Sequence, residues 1–285
     1  MSSAEIPVLG ITPFHRPDPR LAAALVRCGA TGILDLGRET AAARAALEET
    51  VRLAPGPFGV RLAAAHLLDP GELPAAVDTI VLPAGVALGP HRAAGERRLI
   101  VQVTSLAEAQ SARSAGADAL IVKGHESGGA VGAESSFILL QRLVAAIDLP
   151  LYVQGGLGPH TAAACLAGGA AGLVIDSQLA LVRESTTPAP LRAILATLDG
   201  SETTLVAGHR LLQRPDVPLA KEFAQASATE IHAHLGGSDH TRELIPLGED
   251  AAQAAPLARR FATAGGVVQA LRAQIRESLE LARQH

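Results

Sequence analysis

Aromatic residues are almost missing: Phe, Tyr and Trp make up 2% of 285 residues, with no Trp, one Tyr and five Phe, and Met occurs once. A core without large rings must be filled by Ala, Leu and Val, and the hydrophobic fraction is still 48%. Side chains this small favour close helix-on-sheet packing, although high-GC codon usage would enrich Ala and Arg in the same way. Cysteine is scarce too. Cys28 and Cys165 lie far apart, each in an expected helix, which excludes a disulfide framework and reads as buried thiols in a reducing compartment. No sign of charge dominates: the net charge is −4 with both signs interspersed, so there is no electrostatic footprint for nucleic acid or for an anionic membrane. No apolar run approaches the length that spans a bilayer, and Met1-Ser-Ser-Ala-Glu-Ile-Pro7 has neither a charged n-region nor an apolar h-region. The expectation is a cytoplasmic protein.

What is present is a repeat of short apolar runs and helical stretches. Strands are expected at Ile6–Ile11, Thr31–Gly37, Phe58–Leu62, Asp78–Leu82, Leu99–Val103, Asp118–Val122, Leu149–Val153 and Gly172–Ile175. The helices between them carry their own start signals. Asp18 can cap the first, with Pro19 at its first position, and Ser105-Leu-Ala-Glu108 has the capping-box spacing. Between the third and fourth strands the chain is rich in Ala, Pro and Gly, and a single turn is the expected crossover. Strands that are apolar on both faces and alternate with helices give a parallel sheet. Eight such units point to a closed (β/α)8 TIM barrel over residues 1–200. A doubly wound open sheet is the alternative, but its glycine fingerprint follows the first strand, whereas glycines here cluster after the sixth and seventh. Residues 201–285 are expected to be a helical extension that packs outside the barrel or roofs its mouth, ending in a helix with Val268, Leu271, Ile275 and Leu279 on one face.

Two loops are candidates for chemistry. In Leu149-Pro-Leu-Tyr-Val-Gln-Gly-Gly-Leu-Gly-Pro159 a buried strand runs into glycines and then a helix, so free amides and the helix dipole can receive a phosphate; a tight turn without a ligand is the other reading. The loop Lys123-Gly-His-Glu-Ser-Gly-Gly-Ala-Val-Gly132 puts a cation, an imidazole and a carboxylate at the C-terminal end of a strand, where barrel enzymes place their sites. His232-Ala-His234 with His240 has a passable metal spacing, but a surface loop is the better reading, and no metal is expected. Gly208-His-Arg210 suggests no chemistry.

Taken together, Val122-Lys-Gly-His-Glu-Ser-Gly-Gly129, Gln154-Gly-Gly156 and Gly169-Ala-Ala-Gly-Leu-Val before Asp176-Ser177 resemble successive blocks of the nitronate monooxygenase family, which includes flavin-dependent enoyl reductases. The resemblance covers the first two-thirds of the chain in order. Ile11-Thr-Pro-Phe14, Leu247-Gly-Glu-Asp-Ala-Ala252 and Ala264-Gly-Gly-Val-Val-Gln-Ala270 are similar to the nitronate-monooxygenase-like domain at the N-terminus of some large bacterial polyketide synthases.

That resemblance implies a TIM barrel with FMN at its C-terminal mouth. By position, Gly155 and Gly156 would receive the phosphate with Ser177 beside it, and Lys123 would stand near the flavin pyrimidine, where the family usually has Gln; a rim salt bridge is the other reading for Lys123. Three departures stand out. Ala130 occupies the place of the family's catalytic His, leaving His125 as either a substitute base or a solvated bystander. Asp176 replaces a Gly against the phosphate and would repel it, so FMN is expected to be held weakly or not at all. Thr12-Pro13 replaces the Pro-Met pair that lies against the flavin. Two functions follow: a flavin-dependent oxidoreductase acting on a carrier-bound acyl thioester or small nitronate, with an acyl carrier protein or other polyketide synthase domains as partners, or a degenerate barrel serving as a docking or scaffold domain in a megasynthase.

Overall fold

The computed structural model describes residues 5–63, 68–214, 222–236, 243–282 and 284. Eight parallel strands close into a barrel: β1 (Val8–Ile11), β2 (Thr31–Asp35), β3 (Phe58–Arg61), β4 (Val77–Pro83), β5 (Arg98–Val103), β6 (Ala119–Lys123), β8 (Leu151–Gln154) and β9 (Gly172–Ile175). Closure is direct, since β9 pairs with β1 in the register Val8 with Leu173 and Gly10 with Ile175. The helices between strands are α1 (Pro19–Arg27), α2 (Thr40–Leu53), α3 (Gly89–Ala93), α4 (Leu106–Ser114), α5 (Ser136–Val144), α6 (Thr161–Ala167) and α7 (Ala189–Leu195). The crossover from β3 to β4 contains one turn of 3-10 helix, Pro70–Glu72.

Alternation along each strand divides the core in two. Leu9, Ile11, Ile33, Val81, Ile100, Ile121, Tyr152 and Val174 fill the barrel, while Val8, Leu34, Val60, Ile80, Leu120 and Val153 face the helices. The single Tyr belongs to the inner layer, where its hydroxyl accepts from Arg98 at 2.9 Å. Small residues set the helix-to-sheet distance. A Cβ on Gly10 would lie 2.6 Å from the Leu25 methyls, and one on Gly32 would lie 2.3 Å from the Ala22 carbonyl, so α1 closes on β1 and β2 only because both positions lack a side chain. Asp18 caps α1 through the Leu21 amide at 3.2 Å. The box at Ser105 is half-formed, because the Glu108 carboxylate accepts from Thr104 N and Oγ rather than from Ser105 N. Cys28 and Cys165 are free thiols, and burial pushes Cys165 up to about 11.

Beyond residue 200 the chain is not purely helical. Thr203–Val206 (β10) and His209–Leu212 (β11) form an antiparallel hairpin, turned by Ala207 at φ 45° and Gly208 at φ 75°. The hairpin takes in a two-residue strand from the loop after β6, β7 (Gly129–Ala130), with His209 opposite Ala130. The Ala207-Gly208 turn is the reason Gly208-His-Arg210 carries no motif of its own. α8 (Ala228–His234), α9 (Ala254–Phe261) and α10 (Ala264–Ala282) follow. His232 and His234 therefore lie on a capped helix rather than a loop, while His240 lies outside the described residues. Among the described residues no group of His, Cys, Asp and Glu could hold a metal ion, and no helix is long and apolar enough to cross a membrane.

α10 packs against α1 and α6 and is pinned there by Arg272, which is 1% exposed. Its guanidinium donates to Ile6 O at 3.1 Å and Gly29 O at 2.8 Å, and it pairs with Glu5. The segment before α9 reaches the other end of the molecule, where Pro246 and Gly248 line the barrel mouth.

Candidate functional site

Polar residues end five of the strands at the C-terminal mouth, and they bond to one another. Arg61, closing β3, donates to Asp35 at the end of β2 (2.5 Å) and to Gln102 on β5 (2.9 Å). Gln102 donates to Gln154 on β8 (2.8 Å), and Gln154 donates to Asp176 just beyond β9 (2.7 Å). The relay then enters the C-terminal segment: Asp250 accepts from the Ser177 hydroxyl (3.2 Å) and from Gln178 (2.9 Å).

The loop after β1 bends into this mouth. Phe14 and His15 both have positive φ, 66° and 51°, a conformation that costs a non-glycine residue about 1–3 kcal/mol and persists only when its surroundings impose it. The surroundings are plain: His15 is packed against Gly236 on one side and Arg61 on the other. Burial first, and Arg61 second, push His15 down to about 4, so at neutral pH it is uncharged. Arg61 can only donate, so the 3.0 Å contact makes His15 Nδ1 an acceptor and leaves the proton on Nε2. Its 3.4 Å approach to Asp35 is accordingly not an ion pair. Burial works to raise Asp35, but Arg61 and then His15 override it and hold the carboxyl at about 2.

Lys123 ends β6 and is 4% exposed. Burial, then the neighbouring Arg61, lower its amine to about 7, against the pull of Asp176, Asp250 and Asp35. It makes no hydrogen bond or ion pair with any described residue, and it borders a cavity of about 20 Å³ together with Thr12, His15, Arg61, Gly128, Gln154, Asp176, Ser177, Pro246 and Gly248. Gly155 and Gly156 stand beside this region with φ 103° and 64°. The space in front of them is filled from the β6 loop: a Cβ on Gly155 would lie 2.3 Å from Ser127 Oγ, and one on Gly156 3.0 Å from Glu126 Oε1. Glu126 is itself held by the Ser136 amide at 3.0 Å and by the Ser136 hydroxyl. His125 does not line the cavity; its ring is partly exposed and lies 3.1 Å from Glu126.

A flavin phosphate needs free donors, and the donors here are engaged. The Ser177 amide is taken by Asp176 (2.6 Å), the Ser177 hydroxyl by Asp250, and the Gly158 amide by Thr161 Oγ (2.9 Å). The helix after the glycines starts at Thr161 rather than near Pro159 and is seven residues long. Burial, with the charges of Asp176 and then Glu126, raises Asp250 to about 8, the mark of a mouth already crowded with carboxylates. The cavity holds a group about the size of one water, not a three-ring system. The residues present do not fit FMN in this arrangement.

The comparisons with known proteins can now be set against that geometry. Residues 90–230 match the family model described as nitronate monooxygenase. The chain carries a nitronate monooxygenase family domain. It is 34% identical over 186 residues to (3aS,4S,5R,7aS)-5-hydroxy-7a-methyl-1-oxo-octahydro-1H-indene-4-carboxyl-CoA dehydrogenase of Rhodococcus jostii (strain RHA1), a match over 60% of this chain and 50% of that protein. The chain thus spans about half the length of this curated relative. FabK from Thermotoga maritima shares the fold with a TM-score of 0.82 at 22% identity, covering 98% of this chain and 96% of the other. The enoyl reductase domain of MlnA from the macrolactin biosynthesis cluster of Bacillus amyloliquefaciens does so with 0.69 at 13% identity, covering 98% and 97%.

In this nitronate monooxygenase domain Lys123, Gly155, Gly156, Asp176 and Ser177 gather at one mouth, and His125 sits outside its cavity. Sequence reasoning missed His15, Asp35, Arg61, Gln102, Glu126 and Asp250. For Asp35, Arg61 and Gln102 a signal existed, since each is a polar residue at or near the end of an otherwise apolar strand. For Asp250 none did, because it arrives from a segment 72 residues beyond Gln178 in the chain.

Proposed function

We propose that this domain has left flavin-dependent oxidoreduction behind and serves as a docking or scaffold module in a polyketide-synthase-type assembly in the cytoplasm, with an acyl carrier protein or another synthase domain as its partner. One observation carries the loss of flavin chemistry: both donors of Ser177 are bound by carboxylates of this chain, Asp176 and Asp250. A dianionic phosphate placed there would have to displace one carboxylate and approach the other. The synthase setting is supported by the blocks at Ile11-Thr-Pro-Phe14, Leu247-Gly-Glu-Asp-Ala-Ala252 and Ala264-Gly-Gly-Val-Val-Gln-Ala270.

A second reading keeps the enzyme: Lys123, Gly155, Gly156, Asp176 and Ser177 hold FMN, His125 acts as base, and the substrate is a carrier-bound acyl thioester or a small nitronate. It is favoured by the convergence of those five residues on one mouth, and by a curated relative named as a dehydrogenase of a carboxyl-CoA. Flavin titration of the purified protein separates the two. The first reading expects a colourless protein and no saturable quenching of FMN fluorescence; FMN bound one to one would overturn it in favour of the second.

A further inference from the structure

Lys123 is left without a partner by a mouth in which nearly every other polar group has one. We propose that Lys123 is a carbonyl-trapping amine, which condenses with the aldehyde group of a small carbonyl compound to form an iminium inside the barrel mouth. The proposal rests on the reading that no flavin fills that mouth.

Three observations carry it. The amine lies at the C-terminal end of a barrel strand, is 96% withdrawn from solvent, and is aimed at a cavity with no carboxylate close enough to pair with it. Only two of the 24 lysines and arginines are lysines, Lys123 and Lys221. Where this chain needs a buried cation it uses arginine, as at Arg272 and Arg61; an amine differs from a guanidinium in that it can lose its proton and attack carbon. Finally, the surroundings suit a cation formed in place. Asp176 and Asp250, which exclude a phosphate, would stabilise an iminium, and Asp35 adds to the same field from β2.

The charged and titratable groups around the amine are Arg61, Asp35, His15, Asp176, Asp250 and His209. Burial and Arg61 disfavour the ammonium, so near neutral pH a large share of Lys123 is the free amine. Its nitrogen attacks the carbonyl carbon, a C–N bond forms, and the C=O π pair moves to oxygen. His15 Nε2–H and Lys123 Nζ border the same point above Gly129, which a Cβ there would reach at 3.5 and 3.6 Å, so the imidazole N–H is placed to hydrogen-bond that oxygen. A proton from Asp250, reached through the Ser177 hydroxyl that lines the cavity, lets the oxygen depart as water, and the nitrogen lone pair closes the C=N bond. No electrons are gained or lost. A cavity of about 20 Å³ admits the carbonyl group of a one- or two-carbon aldehyde and no ring.

The test is reductive trapping with acetaldehyde and sodium cyanoborohydride at pH 7, followed by peptide mapping of the full chain. Lys123 and Lys221 are compared within the same molecules, so no variant has to fold. Lys123 should be ethylated at least ~10-fold faster than Lys221, in a saturable manner, with the modification absent from Lys123→Arg. Equal or slower labelling of Lys123, or labelling that needs denaturant, overturns the proposal. Flavin titration on the same preparation keeps the two failures apart: no flavin and an unlabelled Lys123 sinks the amine alone, whereas tightly bound flavin that blocks labelling sinks the amine and the flavin-free reading together.

Discussion

Asp176 turns back on its own chain so that its Oδ1 accepts the backbone N–H of Ser177 at 2.6 Å, while its Oδ2 accepts from Gln154 at 2.7 Å. A carboxylate thus sits where the family's cofactor phosphate is expected, and Gln154 holds it there. At an effective dielectric near 20, two unit charges about 4 Å apart repel by roughly 4 kcal/mol, which outweighs several hydrogen bonds of about 1 kcal/mol each. Asp176→Gly removes the charge and frees the amide. FMN affinity measured by fluorescence titration should rise about tenfold or more over wild type; no gain would mean that Asp250 or the Glu126 loop is the larger obstacle.

The folded chain holds His15 at about 4 against an ordinary value of 6.5. Its neutral form is the one the fold prefers, so between pH 6.5 and 4 the unfolded chain binds more protons and stability falls as pH falls. The size is about 3 kcal/mol across that window. His15→Gln cannot take up the proton, and its urea midpoint should drop less than wild type between pH 6.5 and 4. Asp250 runs the other way, because its raised value stabilises the fold below about 3.8 and loses that contribution as pH rises through about 8. Its slope is present in both proteins and cancels in the comparison. Parallel midpoint curves would show that His15 is not buried beside Arg61.

Arg272 joins the last helix to the N-terminal strand and to the turn after α1. Arg272→Leu removes the charge and leaves the Ile6 and Gly29 carbonyls unpaired among buried groups, at a cost of roughly 3 kcal/mol or more. Urea unfolding should show this loss. Arg276→Leu, one turn further along the exposed side of the helix, should shift the midpoint by less than about 0.5 kcal/mol.

The barrel was legible in the sequence because its signal is local: each apolar run of four to seven residues is a strand, and glycines mark the ends. The hairpin at residues 203–212 was not, because His209–Leu212 gains its meaning by pairing with Gly129–Ala130, a partner no local pattern names. The site divides in the same way. Lys123, Gly155, Gly156, Asp176 and Ser177 follow successive strands and could be read from position. Asp250 and the left-handed turn at Phe14-His15 are imposed by tertiary contacts, and no local feature of the sequence announces either one.

Ala130 and His209 face each other across β7 and β11, so their side chains share one face of the small sheet. A His at position 130 would therefore enter beside a second imidazole, which burial already keeps from protonating. General-base catalysis is worth about 10²–10⁴-fold, so its absence alone would leave nitroalkane oxidation weak. The carboxylates at Ser177 are a separate barrier that a new base does not remove. Ala130→His alone should stay inactive toward nitroalkane with added FMN, Asp176→Gly alone should bind FMN with little turnover, and the double variant should be the first to show flavin-linked oxygen consumption. This non-additive pattern is what two independent losses produce. Turnover at full rate in Ala130→His alone would mean that flavin enters the wild-type mouth, and that the chain lacks only its base.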